Sequence, residues 1–255
     1  MSQIPSGSSE YPAIKKLDFI EEYFCFEEIE STNDFAKNQK FSPSSGLIVI
    51  RALKQSSGRG RRDKSFFSDD SGGLWVSIVA PVKSIADHFT YNRAISLAVC
   101  GAIENTYPQI NEKIKIKWPN DIYCGDRKIA GVLLENTSAN PDAIIVGLGL
   151  NVNMALSDFP AKLRKSATSL FIETGQLLPI NQLLESILLA YWRFIGTSDQ
   201  QSIHRQYVNR LYKKGRRAAV DSQQGTFLTV EPNGQLRMQT AGSDLLYSSG
   251  TLTFL

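Results

Sequence analysis

The sequence predicts an α+β fold, and three observations carry that prediction. Six apolar, β-branched runs are spaced along residues 23–152, two longer stretches carry apolar residues at helical spacing, and a tail of short strands follows residue 213. Residues 1–13, rich in Ser, Gly and Pro, read as a disordered leader. The first strand is expected at "YFCFEEI", 23–29, and the Ser31, Thr32 and Asn33 that follow offer N-cap chemistry for a helix through Phe35 and Ala36. Further strands are expected at 46–53, 73–80, 114–118, 128–135 and 143–152. One helix is expected from Phe89 to Tyr107, where Ala94, Ile95, Ala98, Val99, Ala102 and Ile103 make one apolar stripe. The other runs from Asn181 to Ile195, with Leu184, Ile187, Leu188 and Tyr191 in its stripe. The Gly and Asn-Gly turns beyond Lys213 divide the chain into a larger domain, 14–212, and a small all-β domain, 213–255.

Composition excludes several classes. A net charge of +3 over 255 residues does not make a nucleic-acid-coating surface. No apolar run approaches the length that spans a bilayer, and the N-terminal residues lack the apolar core of a signal peptide. Cys25, Cys100 and Cys124 are widely spaced, which argues against a disulfide framework or a structural zinc site and for a reducing cytoplasm. His88 and His204 lie outside every charged loop, and no G-x-S-x-G elbow occurs, so a covalent enzyme intermediate is not expected.

Chemistry concentrates in three segments. "KQSSGRGRRDKSFFS", 54–68, places three Arg and two Lys among Gly and Ser at a strand end, where backbone N–H groups can approach an anion. Phe66 and Phe67 add aromatic faces suited to a nucleotide base, although the loop lacks the Walker pattern. With few apolar anchors, residues 58–68 are expected to order only around a ligand. In "KWPNDIYCGDRKIAGVLLE", 117–135, Asn120 and Asp121 fall where a strand leaves the sheet. A carboxylate there, beside phosphate-binding cations, suits Mg²⁺. Lys128 opens the next apolar run, a position from which a lysine either snorkels to solvent or faces a ligand. "GLGLNVN", 147–153, is not a dinucleotide fingerprint, because Val152 stands where the third glycine belongs; Gly147 and Gly149 instead let the strand pass close to a ligand, with Asn151 offering its amide. Arg, Lys, Asn and Asp among Gly-rich loops suit an enzyme that positions anions and neutralises developing charge.

Ser31-Thr32-Asn33, "GRGRR" at 58–62, "KWPNDI" at 117–122, "RKIAGVLLE" at 127–135 and "GLGLNVN", in this order, strongly resemble the biotin protein ligases over residues 23–255. The resemblance implies a mixed central sheet flanked by helices, of the class II synthetase type, followed by an SH3-like C-terminal domain. It implies ATP and Mg²⁺ as cofactors and biotin as substrate: biotin forms biotinyl-5'-AMP, and a lysine of a biotin carboxyl carrier domain takes the acyl group. Carried over by position, Ser31, Thr32, Asn33, Gln55, Gly58, Arg59, Gly60, Arg61, Lys128 and Gly131 would hold biotin. Arg61, Lys64, Phe66, Asn120, Asp121, Lys128 and Asn151 would serve ATP and the adenylate, Lys128 and Arg61 would be catalytic, and Asp121 would take the metal.

The family loop usually runs G-R-G-R-x-G-R-x-W, whereas this chain has Asp63, Lys64 and Phe66 at the last Gly, Arg and Trp positions. Lys64 meets phosphate without a bidentate fork, and Phe66 keeps a stacking face without an indole donor. Only 22 residues precede "YFCFEEI", too few for the DNA-binding domain that some members carry, so the expectation is a cytoplasmic ligase that binds neither DNA nor membrane, its dimerisation left open. Two alternatives are a lipoate or octanoyl ligase, whose R-R-x-S-G-G-G loop is absent, and a non-catalytic biotin sensor, for which Lys128 and Asn120-Asp121 would be superfluous.

Overall fold

The computed structural model describes residues 14–39, 41–62, 64–82, 88–136 and 142–255. The expected leader and Asp63 lie outside the described residues. Strand β1, Ile20–Ile29, runs parallel to β2, Leu47–Gln55, and between them sits helix α1, Thr32–Asn38. The Ser31 hydroxyl caps that helix by accepting the Asp34 N–H at 3.2 Å, as its short polar side chain allows. Strand β3 covers Gly73–Pro81 and helix α2 covers His88–Thr106. Strands β4, Ile114–Lys117, β5, Asp121–Cys124, β6, Arg127–Glu135, and β7, Ala143–Asn151, complete a seven-stranded sheet in the order β1-β2-β3-β7-β6-β5-β4. Every pairing except β1 with β2 is antiparallel, so the sheet is mixed, as expected.

Alternation along the strands explains the layers. Leu47 and Val49 face the main core with α2 and α4, Ile180–Gly196, whereas Ile48, Ile50 and Ala52 face a second cluster with Ala36 of α1. With both faces covered, β3 is buried at every position except Pro81. That burial is why it reads as an unbroken apolar run. Three elements escaped the sequence reading. Helix α3, Leu170–Thr174, is a single short turn; α5, Gln200–Asn209, is mostly polar and starts on Asp199, whose carboxylate accepts the Ser202 N–H at 2.9 Å. Strand β5 has four residues and closes a hairpin with β6 through Gly125, whose φ of +58° belongs to the left-handed region.

The tail forms a five-stranded antiparallel sheet ordered β11-β10-β9-β8-β12, from β8, Arg217–Val220, β9, Gln223–Val230, β10, Leu236–Gln239, β11, Asp244–Tyr247, and β12, Leu252–Phe254. Phe227, Leu236 and Met238 are fully buried, and their cluster is continuous with the main core. Trp118 fastens the two sheets: its indole N–H donates to Gly234 O at 3.0 Å. Among the described residues, no helix is long and apolar enough to cross a membrane.

Candidate active site

A cavity of about 240 Å³ opens on the α1 face of the large sheet. One wall is the start of α1. Thr32 donates its N–H and its hydroxyl to Gln55 Oε1 at 2.8 and 3.0 Å, and Gln55 Nε2 reaches Ser68 Oγ at 3.1 Å. Ser77 Oγ lies 2.7 Å from Thr32 Oγ1 and 2.5 Å from Asn33 Oδ1. Strand glycines make this approach feasible: a Cβ on Gly147 would lie 2.3 Å from Asn33 Oδ1. The result is a polar, largely buried wall of fixed donors and acceptors.

The opposite wall is cationic. Lys128 Nζ is 2.6 Å from Asp121 Oδ1 and 5.3 Å from the centre of the Phe66 ring. The ring lies over the cross-strand pair Gly131 and Gly149, where a Cβ on Gly149 would come within 2.5 Å of it. Arg61 Nη1 approaches Asn120 Oδ1 at 3.4 Å, while Asn120 Nδ2 donates to Val132 O at 2.5 Å. Burial lowers the basicity of Arg61, with repulsion from Arg62 adding to it and Asp121 opposing it. Burial likewise lowers the Lys117 ammonium, which Asp121 supports and Lys128 and Lys213 oppose. Tyr123, whose hydroxyl is 3.3 Å from Lys117 Nζ, is pushed up to about 12 by burial, Asp121 and Tyr212. An anionic ligand would relieve the crowding of positive charge.

Thirteen of the fifteen residues expected at the site line this cavity: Ser31, Thr32, Asn33, Gln55, Arg59, Gly60, Arg61, Lys64, Phe66, Asn120, Asp121, Lys128 and Gly131. Two do not. Gly58 pairs with Phe66 at the root of the loop, where Phe66 N donates to Gly58 O at 2.8 Å, and Asn151 is buried with Nδ2 donating to Thr168 O at 2.8 Å. The segment at 166–168 runs beside Lys128 and engages the Asn151 amide, so Asn151, expected at ATP and the adenylate, is not part of the cavity wall. The loop also has anchors that its composition concealed: Phe66 meets Trp75 edge-on at 6.0 Å, and Phe67 packs on Phe159 at 6.4 Å. Sequence reasoning missed Ser77, Lys117 and the cavity contribution of Gly250, Thr251 and Leu252 from the C-terminal sheet. A lone hydroxyl within "GLWVSIVA" was the available signal for Ser77.

Among the described residues, Asp121 is the one carboxylate lining the cavity, and no group of three His, Cys, Asp or Glu side chains is placed to hold an ion. That donor set suits Mg²⁺ only as an ion shared with phosphate oxygens, because Mg²⁺ commonly takes one or two carboxylates and leaves its other positions to substrate and water.

A mixed sheet, helices on both faces and a cation-walled cavity bordered by a small antiparallel sheet together define an α+β scaffold of the biotin protein ligase type. Residues 25–151 match the model of the Biotin/lipoate A/B protein ligase family, which identifies this region as a domain of that family. Among curated relatives, the bifunctional ligase/repressor BirA of Bacillus subtilis is 30% identical over 169 residues, covering 64% of this chain and 49% of the relative. An acetyl-CoA-carboxylase biotin ligase of Paracoccus denitrificans is 27% identical over 174 residues, covering 67% of this chain and 71% of the relative. The chain spans about half the length of the BirA proteins it matches, at 54% and 49% for the two Bacillus relatives. A solved structure of the biotin protein ligase from Aquifex aeolicus, in complex with biotin and ATP, superposes with a TM-score of 0.79 at 23% identity, covering 92% of this chain and 99% of that one. That likeness shows the fold.

Proposed function

We propose that this protein is an ATP-dependent biotin protein ligase that makes biotinyl-5'-AMP and passes the biotinyl group to a lysine of a biotin carboxyl carrier protein. One observation carries the reading: the Thr32–Asn33–Gln55 wall, backed from behind by the buried Ser77 hydroxyl, and the cations Arg61, Lys117 and Lys128 border a single cavity. The polar wall suits a neutral hydrogen-bonding head group, and the cations suit a carboxylate that must meet a triphosphate. Bringing those two anions together is the electrostatic problem of the first step.

In that step, a biotin carboxylate oxygen attacks the α-phosphorus and pyrophosphate leaves. Lys128 can exchange Asp121 for the carboxylate and phosphate oxygens, holding a positive charge where negative charge gathers. Arg61 offers its fork from the loop side. Mg²⁺, shared between Asp121 and the phosphates, would offset further charge. In the second step the carrier amine attacks the acyl carbon, loses its proton, and AMP departs. No protein nucleophile is required. Gly250–Leu252 border this cavity, which favours a division of labour in which 14–212 holds the ligands and 213–255 completes the wall. The names of the relatives support the carrier as partner, and the absence of a disulfide framework from the sequence favours a cytoplasmic setting.

The test is pyrophosphate release from Mg-ATP with biotin, lipoate or octanoate as the acid. Release with biotin alone is expected. Release with lipoate or octanoate but not with biotin would overturn the reading.

A further inference from the structure

We infer that Glu135, outside the cavity lining, is a positioning residue that fixes the direction of the Asn33 carboxamide and fastens Arg59 to the same wall; this rests on the ligase reading above. Glu135 ends β6, and its Oε2 accepts Asn33 Nδ2 at 2.8 Å. Its other oxygen is 2.5 Å from Lys37 Nζ and 3.7 Å from Arg59 Nη2. Asp34 completes the group, with Oδ1 2.5 Å from Arg59 Nη1 and 3.9 Å from Lys37 Nζ. Two helix residues and one loop arginine thus meet on one strand-end carboxylate.

The orientation argument follows from donor and acceptor chemistry. A carboxamide can be turned over, exchanging its oxygen and nitrogen at little cost in shape. The Ser77 hydroxyl, 2.5 Å from Asn33 Oδ1, both donates and accepts, so it tolerates either face. An ionised carboxylate only accepts. Turning the amide over would set Oδ1 against Glu135, so Glu135 alone among these partners selects the face that Asn33 presents to the cavity. It does so without touching the ligand. Arg59 is held at the root of the loop by Glu135 and Asp34, which places the start of "GRGRR" against the α1 wall. The expected consequence is selective: recognition on the Asn33 side weakens when Glu135 changes, while the phosphate side is spared.

The experiment uses the full chain and compares Glu135→Gln, Glu135→Ala, Asn33→Ala and the double variant Asn33→Ala/Glu135→Ala. Biotin-dependent pyrophosphate release gives KM for biotin, KM for ATP and kcat. Glu135→Gln keeps the size of the side chain but can both donate and accept, so it loses the selection of one face. Both single Glu135 variants are expected to raise the biotin KM by about tenfold, the loss of one well-made hydrogen bond, with kcat and the ATP KM within about twofold. In the Asn33→Ala background, Glu135→Ala should change the biotin KM by less than about twofold, because the path through Asn33 is already gone and Arg59 keeps its closer carboxylate, Asp34, at 2.5 Å against 3.7 Å for Glu135. An unchanged biotin KM in both Glu135 variants would overturn the inference. So would additive effects of Asn33→Ala and Glu135→Ala, or biotin and ATP KM values rising in step. A parent protein that releases no pyrophosphate with biotin would instead remove the ligase reading, and the inference with it.

Discussion

Replacing Lys128 by Ala should separate stability from catalysis. The Lys128–Asp121 pair is 2.6 Å long, and its side chains are 31% and 26% exposed. A pair so open to solvent contributes about 1 kcal/mol or less, and the ammonium over the Phe66 ring at 5.3 Å adds about 0.5 kcal/mol. At about 2–4 °C per kcal/mol for a protein of this size, the variant should melt only a few degrees below the parent. The transition state has far more to lose. Withdrawing a placed cation from gathering phosphoryl charge costs about 3 kcal/mol, a rate loss of about a hundredfold. Biotin-dependent pyrophosphate release and thermal denaturation, measured on the same preparation, read the two effects. Near-normal turnover would remove Lys128 from the chemistry, and loss of the folded state would show that the pair is structural.

Other outcomes follow from the same geometry. Gly147→Ala should cost about 1–3 kcal/mol by thermal denaturation, because its Cβ would lie 2.3 Å from an Asn33 oxygen held by Ser77, and should also raise the biotin KM. Arg61→Gly should retain part of its adenylate synthesis but leak the product, because one 3.4 Å contact to Asn120 is a light hold for a residue closing over phosphate. The check is biotin incorporated into an unrelated lysine-rich protein, with labelling above that of the parent at equal ATP consumption. Glu21 tests the acid limb of stability. Burial would raise its carboxyl, but the N–H groups of Ser45, Ser44 and Gly46 outweigh that and hold it below the usual range. Its contribution is therefore present above the unfolded carboxylate range and is lost as pH falls through the folded value. Glu21→Gln should make melting temperature less dependent on pH there, an effect visible in denaturation scans across acid pH.

The large sheet was legible because its strands are buried on one or both faces and therefore carry dense apolar runs, as in "GLWVSIVA" and "AIIVGLGL". Strand β5 was not, because four residues offer too little periodicity and Asp121 opens them. Helix α5 was hidden by its polar surface, with only Ile203 and Tyr207 buried. At the site, the charged and amide residues were visible in the spacing of their motifs. The direction of each side chain was not. Asn151 and Gly149 both fall in "GLGLN", yet Gly149 lies under Phe66 while the Asn151 amide meets Thr168, a contact 17 residues distant that no local pattern encodes. Ser77, Lys117 and Glu135 were passed over for the same reason. Each acts through partners brought in from other strands and helices.

The most direct measurement is the mass of a biotin carboxyl carrier domain after incubation with this protein, biotin and Mg-ATP. A gain of one biotinyl group on a single lysine, abolished by omitting ATP and strongly reduced by Lys128→Ala, is the expected result. A carrier of unchanged mass, while the protein is folded and binds biotin, would contradict the assignment of this cavity to biotin transfer.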